Sequence, residues 1–565
     1  MRFYTKCVAL LMALCIFAPL ALEAPDAGHV HNFGAWETVT APTCTAAGEE
    51  VHVCVSCGAT ESRKAVALGH VWTGGDVVTA PAVEMDGEKA YTCTRCGVVR
   101  TEKLPATVCG GDAACPSAAL TDVPAPDDWA HSGIDYCVAR GLMCGVSKTA
   151  FDPNAPTSRA MVVAILWRQA GSPAPEHASS FVDLQQDWYI DAVAWAAENG
   201  VVFGKDTATF DPDAAISRQD MAVIFYRYAR NVLKLDVSKN AALTTFPDYG
   251  RVSDYARDAM AWANAEGLIS GTAVGGTVYL DPLGSAVRAQ AARVLANFCK
   301  HLEQLENTVD VPVLLYHHLD PDADGSNSMV VTPATFERQI RVLYDAGYTG
   351  VSIEELQNYI NYGTALPERP IVITFDDGYL SNYEYAFPIL QKYNMKATIF
   401  VIGSSVGHTE FYKDTSYPLT PHFGTAEIEE MIASGLIDIQ SHTYDMHQTP
   451  AYETGVARPT IQQLPNETDA AYMQALTEDS CLQKDLLEPV TGQKIVAVAY
   501  PKGVYSPLTC TVLAQCGIEA TFTTISGSNT IEKGVPQSLM NLNRYGVYES
   551  TTPEQILAMV SSARG

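Results

Sequence analysis

The stretch Ile371-Val372-Ile373-Thr374-Phe375-Asp376-Asp377-Gly378 decides the fold of the C-terminal part of the chain. Its apolar and β-branched run predicts a buried strand, and the glycine marks its end. Further buried runs occur at 311–316, 397–402, 436–440 and 495–500, and 336–346 has a helical pattern. Buried strands alternating with helices predict a parallel α/β sheet or barrel. In such folds functional side chains gather at the carboxyl ends of the strands.

Two carboxylates follow this strand directly, and two histidines follow another. Asp376 and Asp377 end the first run, whereas His442 and His447 lie just after the run 436–440. One carboxylate and two imidazoles suit a catalytic zinc ion that keeps open positions, and the second carboxylate can act as a base toward water. The alternative is structural, with Asp376 capping a helix and Asp377 facing solvent. The two histidines favour the metal site.

These segments resemble the motifs of NodB-type polysaccharide deacetylases, carbohydrate esterase family 4. Thr374–Tyr379 reads TFDDGY and Ser441–His447 reads SHTYDMH, with the histidine spacing of the poly-N-acetylglucosamine deacetylase branch. The resemblance covers about 306–550 and implies a deformed (β/α) barrel. It also implies that Asp376 is the base and that Asp377, His442 and His447 bind a divalent metal, zinc by expectation.

A third segment, Val313–His317, resembles the family's apolar-apolar-Leu-x-His motif, placed before the aspartates as in the circularly permuted branch. The resemblance implies that His317 is the general acid and that Leu315 lines the acetyl pocket. Imidazole titrates in the range that suits a general acid. His318 is a competing candidate, but strand alternation turns it to the opposite face.

The segment Ala499-Tyr500-Pro501-Lys502-Gly503 corresponds to the family's Arg-x-Pro-Tyr-Gly motif. Tyr500 and Lys502 are expected beside the substrate pocket, where the Lys502 N–H can stabilise an oxyanion. Ala499 stands where the family has the arginine that holds the base. This loss leaves open a decayed wall-binding or structural protein. An esterase acting on O-acetyl groups is a further alternative.

A longer repeat fills about 120–302, and each of its three units predicts a helix ending at glycine, a loop, and a second helix capped near Ser158, Ser217 or the equivalent Val287. The units resemble S-layer homology domains, which occur as triplets and anchor proteins to secondary cell-wall polymers. The residues that the resemblance assigns to polymer binding are Arg159, Arg218, Arg288, Asp122, Asp183, Asp248, Trp129 and Trp188. Asp254 replaces the tryptophan in the third unit. An arginine fork suits an anionic sugar substituent, although each arginine could instead pair locally within its repeat.

Residues 31–69 and 70–108 form a third kind of repeat with a period of 39 residues. Each contains Cys-x-x-Cys-Gly, at Cys54 and Cys57 and at Cys93 and Cys96, and resembles small cysteine-knuckle repeats of exported bacterial surface proteins. Units this small need a cross-link to be stable, and either a structural zinc ion or a disulfide could provide it. If zinc is bound, Cys44 and a histidine are expected to complete the first site. The second repeat has valine at the Cys44 position.

Length and charge set the remaining expectations. A chain of 565 residues with net charge −28 predicts several domains and argues against a nucleic-acid partner. Basic residues before an apolar run over 7–22 predict a signal peptide and no membrane span after its cleavage. We therefore expect a secreted hydrolase attached to the bacterial cell wall, with an acetylated polysaccharide substrate and an anionic wall polymer as partners. The predicted order is signal peptide 1–24, cysteine repeats and linker 25–117, S-layer homology repeats 118–178, 179–242 and 243–305, and deacetylase domain 306–565.

Overall fold

The computed structural model describes residues 30–561, so the predicted signal peptide lies outside the described residues. Within that range the chain is multidomain, as predicted: two small antiparallel sheets, a bundle of helical repeats, and a parallel barrel follow one another. None of the helices in this range is long and apolar enough to cross a membrane.

Each cysteine repeat folds into a three-stranded antiparallel sheet. The strands are β1 Glu37–Thr40, β2 Gly48–Val53 and β3 Thr60–Ala65 in the first repeat, and β4 Asp76–Thr79, β5 Gly87–Thr92 and β6 Val99–Leu104 in the second. A Cβ atom on Gly48 would lie 2.2 Å from the Thr40 carbonyl oxygen, and one on Gly87 2.5 Å from that of Thr79. The close approach of neighbouring strands therefore explains the repeated glycine.

The helical repeats pair two helices each. They are α1 His131–Ala139 with α2 Arg159–Gln169, α3 Asp187–Glu198 with α4 Arg218–Asn231, and α5 Arg257–Ala265 with α6 Arg288–Asn307; a short hairpin, β7 Thr272–Val274 and β8 Thr277–Tyr279, lies in the third. Ser158 and Ser217 cap α2 and α4 as predicted. All three repeats share one apolar core.

A ring of backbone hydrogen bonds closes the triplet. Thr157 N–H donates to Ala286 O, Ala286 N–H to Ile216 O, and Ile216 N–H to Thr157 O, at 2.8, 2.9 and 2.9 Å. Each repeat therefore bonds to both of the others, and the three form one unit.

The C-terminal domain is a parallel barrel wrapped by helices. Its strands and neighbouring short strands are β9 Thr308–Val311, β10 Val313–Tyr316, β11 His318–Leu319, β12 Val330–Val331, β13 Thr349–Gly350, β14 Pro370–Asp377, β15 Ala397–Val401, β16 Ile437–Ser441, β17 Ala497–Ala499, β18 Ala520–Phe522, β19 Asn529–Glu532 and β20 Tyr545–Gly546. Its helices are α7 Pro333–Asp345, α8 Ile353–Tyr362, α9 Phe387–Tyr393, α10 Thr425–Ala433, α11 Asp469–Thr491, α12 Pro507–Gln515 and α13 Pro553–Ser561.

The parallel strands run in the order β18-β17-β16-β15-β14-β10-β20. Leu542, just before β20, bonds back to β18 through its N–H to Thr521 O at 2.7 Å. The two ends of the sheet meet there, which gives the deformed barrel that the sequence predicted. Along β14, alternation sends Val372, Thr374 and Asp376 inward, so Asp376 lies at the top of the barrel interior.

The predicted strand over 311–316 is divided at Pro312. The residues before it, β9, pair antiparallel with β19, whereas those after it, β10, enter the barrel between β14 and β20. Proline has no N–H to donate to a ladder, and the division at this position agrees with that limit.

Candidate active site

Asp377, His442 and His447 come together at the carboxyl ends of β14 and β16. Their ligand atoms lie within 4.8 Å of one another. The Asp377 Oδ1 atom is 3.5 Å from His442 Nε2 and 3.8 Å from His447 Nε2. A carboxylate oxygen and two imidazole nitrogens converging on one point form a donor set that fits a divalent metal such as zinc.

The protein backbone fixes the His442 ring. Its Nδ1 atom lies 2.9 Å from the Ala499 carbonyl oxygen, so this nitrogen carries the proton and Nε2 offers its lone pair to the site. Burial, followed by the neighbouring His442, lowers the pKa of His447 to about 4. His447 is therefore neutral at neutral pH, as a ligand must be.

The loop that carries both histidines is held from α11. Asp479 accepts hydrogen bonds from the Tyr444 and Asp445 N–H groups at 2.9 and 2.8 Å. Thr443 adopts a left-handed conformation with φ 72°, and its hydroxyl accepts from the Met446 N–H. These bonds set the loop geometry that brings His447 back beside His442.

Asp376 is paired with an arginine that the sequence motifs did not indicate. The Arg544 Nη1 and Nη2 atoms donate to the two carboxylate oxygens of Asp376 at 2.7 and 2.8 Å. The exposed fractions are 0% for Arg544 and 2% for Asp376. Burial opposes ionisation of Asp376, but the charge of Arg544 and then that of His442 hold its pKa well below the usual range.

Arg544 donates the two hydrogen bonds to Asp376 that an alanine at position 499 cannot donate. It precedes β20, whose residues pair with Leu314 and Leu315 of β10, and its Nε donates to Thr523 O at 2.7 Å. The guanidinium therefore reaches Asp376 from the strand on the other side of β10, not from β17. No sequence motif marked Arg544, which directly precedes the two-residue strand β20.

His317 lies on the same side of β10 as Val313 and Leu315, beside Asp376. Its charged form is among the groups that lower the Asp376 pKa, and its carbonyl accepts from the buried Asn382 amide at 2.7 Å. His318 places Nδ1 2.8 Å from the Ser381 hydroxyl, and its ring lies 5.1 Å from that of Tyr379. The opposite orientation predicted for the two histidines stays a prediction.

Of the two side chains predicted to lie beside the substrate pocket in Ala499–Gly503, one lies at the edge of the site and the other is buried below it. Lys502 is exposed with φ 58°, the left-handed conformation that turns the backbone at the site's edge. Tyr500 is fully buried, and its hydroxyl donates to Asn541 Oδ1 at 3.0 Å. The Tyr500 side chain is thus part of the packing below the site, not an exposed wall of it.

Two more side chains approach Asp377 from the loop and strand beside it. Burial, followed by the charge of Asp377 to which its hydroxyl also bonds, raises the pKa of Tyr379. The ring of His422 lies 4.9 Å from that of Tyr379, and burial lowers the pKa of His422 to about 4. His422 belongs to none of the sequence motifs, so sequence reasoning gave no signal for it.

In the helical repeats the three predicted arginines join neighbouring repeats. Arg159, Arg218 and Arg288 donate from Nε to the carbonyls of Phe210, Leu280 and Phe151 at 3.1, 2.9 and 2.8 Å. Pairing within each repeat, the alternative considered above, is therefore wrong, because every bond crosses to another repeat. Arg218 and Arg288 are buried, whereas Arg159 is partly exposed.

The predicted acids bind backbone. Asp122, Asp183 and Asp248 accept the two N–H groups of the turns at 151–152, 210–211 and 280–281. Trp129 and Trp188 are 55% and 39% exposed. A cleft of about 380 Å³ between the first two repeats is lined by Arg159, Lys205 and Arg227 among others.

The cysteines group differently from the expectation. Cys54 and Cys57 lie with His31, but Cys44 lies with His70, Cys93 and Cys96 of the second repeat. The assignment of Cys44 to the first site is therefore wrong. Within residues 30–561 the recorded disulfide joins Cys109 to Cys115, and Cys510 and Cys516, whose spacing permits a disulfide, are both free thiols.

The fold and this site define a barrel enzyme of the deacetylase type. Residues 363–521 match the family model for polysaccharide deacetylase, and 119–160, 180–222 and 245–279 match that for the S-layer homology domain. The chain is 30% identical over 230 residues to the Bacillus subtilis protein named Putative polysaccharide deacetylase YxkH, covering 41% of this chain and 70% of that one. The chain belongs to the polysaccharide deacetylase family and carries three S-layer homology repeats.

Two further likenesses concern the same part of the chain. The poly-beta-1,6-N-acetyl-D-glucosamine N-deacetylase of Escherichia coli strain K12 is 27% identical over 231 residues, covering 38% of this chain and 33% of that protein. The polysaccharide deacetylase BC0361 of Bacillus cereus is 29% identical in its solved structure, with TM-score 0.35, covering 45% of this chain and 69% of that chain.

Proposed function

We propose that the chain is a metal-dependent N-deacetylase, held at the bacterial cell wall, that removes acetyl groups from an N-acetylated glycan. The observation that carries this proposal is the Asp376–Arg544 pair beside the Asp377, His442 and His447 donor set. An ionised, oriented base next to a complete ligand set is what the chemistry needs. Because Arg544 holds Asp376, the alanine at position 499 no longer favours a decayed site.

Asp377, His442 and His447 would hold the metal, which as a Lewis acid would polarise the acetyl carbonyl and favour deprotonation of water. Asp376 accepts a proton from the attacking water, and Arg544 keeps that carboxylate ionised and aimed into the barrel mouth. The Lys502 N–H donates to the oxygen that gains charge as water adds to the carbonyl carbon.

His317, beside Asp376, completes the reaction. As the bond between carbonyl carbon and nitrogen breaks, the His317 imidazolium donates its proton to the nitrogen. The products are acetate and a free amine on the sugar. An amine leaves poorly as an anion, so protonation of nitrogen is the step for which this histidine is needed. Leu315, on the same face of β10, contacts the acetyl methyl group in this proposal.

The N-acetyl preference is supported by the named activity of the Escherichia coli relative and by the position of His317 before the aspartates. The wall location is supported by the three S-layer homology repeats. In this proposal Arg159 and the cleft that it lines bind an anionic wall polymer, with Trp129 and Trp188 at exposed positions. The signal peptide over 1–24 would direct export.

The substrate class is tested with the purified full chain, zinc and three substrates: β-1,4- and β-1,6-linked N-acetylglucosamine oligomers and acetylxylan. We expect acetate from an N-acetyl oligomer with an equal amount of new amine. Acetate from acetylxylan alone would establish the O-acetyl esterase instead. Release from none of the three, by a chain that binds zinc, would contradict the proposal and favour the decayed protein.

A pair of neighbouring variants tests the assigned acid. His317→Gln should lower kcat by about 10²-fold or more, the usual contribution of a positioned acid. His318→Gln, one residue on and facing Ser381, is the matched control and should retain most activity. The opposite ranking would reassign the acid to His318.

A further inference from the structure

Four ligand-type side chains from both cysteine repeats converge at one point far in sequence from the catalytic site. Cys44, His70, Cys93 and Cys96 have ligand atoms within 4.8 Å of one another. The Cys44 and Cys93 sulfurs are 3.9 Å apart, and the Cys96 sulfur is 3.4 Å from His70 Nδ1. Tetrahedral zinc with bonds of ~2.3 Å to sulfur and ~2.0 Å to nitrogen would separate its ligands by about 3.5–3.8 Å.

The second knuckle is already folded around this point. The Gly97 N–H donates to Cys93 O at 2.9 Å, with Gly97 at φ 75°, and the Arg95 N–H points at the Cys93 sulfur at 3.4 Å. A thiolate that receives a backbone N–H is a stabilised anion, as metal ligation requires. None of the cysteines in the group is in a disulfide.

Cys44 reaches this group because its loop is bonded to the last two residues of the first repeat. The Leu68 N–H donates to Thr43 O at 2.8 Å and the Gly69 N–H to Cys44 O at 3.0 Å, directly before His70. The same bond recurs 39 residues on, where the Thr107 N–H donates to Ala82 O at 3.0 Å. There the residue after Ala82 is the buried Val83, and the sequence from 108 onward contains no third Cys-x-x-Cys-Gly.

We propose that Cys44, His70, Cys93 and Cys96 form a structural zinc site in which the first repeat supplies a ligand to the second. Positions 44 and 83 are equivalent in the two repeats. The first repeat has a cysteine there and is followed by another Cys-x-x-Cys-Gly knuckle, whereas the second has a valine and is not. The metal cross-links two sheets that are each too small to be stable alone. It also braces the module against the barrel, which the repeats contact through Ala67 N–H to Gly492 O and Lys103 N–H to Gly534 O.

The test counts zinc by native and elemental mass spectrometry on the full chain prepared under mild reduction. Cys44→Ser should lose one zinc per chain relative to the parent, whereas the matched control Cys481→Ser, an exposed thiol on α11, should lose none. Cobalt substitution keeps this separate from the catalytic site, because thiolate charge-transfer absorption can come only from the cysteine ligands. That absorption should fall in Cys44→Ser and persist in Asp377→Ala.

A second measurement stays informative if Cys44→Ser does not fold. In the parent chain, Cys44, Cys93 and Cys96 should resist alkylation until a chelator is added and should then react together. Equal alkylation with and without chelator would overturn the site. So would a disulfide at Cys44 in peptide maps of unreduced protein, or unchanged zinc and cobalt absorption in a folded Cys44→Ser chain.

Discussion

Replacing Arg544 by methionine removes the positive partner of Asp376 while keeping the volume of the side chain. The pair consists of two charge-assisted hydrogen bonds, 2.7 and 2.8 Å long, between groups that are 0% and 2% exposed. Bonds to charged groups contribute about 1.5–3 kcal/mol each, and breaking one partner of a buried pair costs about 3–5 kcal/mol. We therefore expect Arg544→Met to lower the free energy of unfolding by about 3–5 kcal/mol at neutral pH.

The same change alters the chemistry of the base. Without Arg544, burial of Asp376 is no longer offset, so its pKa rises. A base works only when ionised, so the acid limb of the kcat profile should move to higher pH, and kcat at its plateau should fall by about 10²-fold or more. The stabilisation by this pair is fully present above the ordinary aspartate pKa of about 4, and it is lost as the pH falls from there through the depressed pKa of the folded state.

The assays are chemical denaturation at pH 7 and acetate release as a function of pH. Arg544→Lys keeps the charge but not the two-pronged geometry and should lie between parent and Arg544→Met. Arg341→Met is the matched control, because Arg341 pairs with Asp345 at an exposed surface position. An unmoved acid limb in a folded Arg544→Met chain would refute the assignment of Arg544 as the residue that positions and ionises the base.

Other variants address the metal and the anchor. Asp377→Ala should abolish both zinc binding at the catalytic site and acetate release, because two imidazoles alone hold the ion weakly. Mass spectrometry should then count one fewer zinc per chain, and the cobalt–thiolate absorption should be unchanged. Arg159→Gln should reduce retention on purified cell walls at least several-fold, measured by co-sedimentation at low and high salt. Arg218→Gln, at a buried position, should chiefly lower Tm by several degrees. Equal wall retention in the parent and Arg159→Gln would remove Arg159 from the polymer site.

The barrel and its ligand set could be predicted because their signals are local. The apolar and β-branched run Ile371–Phe375 before Asp376 and Asp377 specifies a buried strand. The parallel arrangement brings its end to the same edge of the sheet as that of the strand before His442, with β15 between the two. Strand alternation also predicts opposite orientations for His317 and His318, since that rule needs no tertiary information. The same rules gave the helix caps at Ser158 and Ser217.

The missed features depend on contacts between distant segments. Arg544 lies 168 residues from Asp376 and meets it only because β20 pairs with β10. Comparing the two cysteine repeats position by position assigned Cys44 to the site of the first repeat. Backbone hydrogen bonds from residues 68 and 69 instead place it beside the cysteines of the second repeat. For Arg159, Arg218 and Arg288, the repeat period indicated that the three residues occupy equivalent positions. It could not indicate that each bonds to the neighbouring repeat, because that contact follows from the closed ring of three units.

The most direct measurement compares the parent chain with Asp376→Asn on an N-acetylglucosamine oligomer, following acetate and free amine together. Our account predicts one amine per acetate in the parent, loss of both with chelator, and recovery on adding zinc. Asp376→Asn should keep its catalytic zinc but release acetate at least about 10²-fold more slowly, because the base is gone. Acetate release that survives Asp376→Asn undiminished would contradict the account.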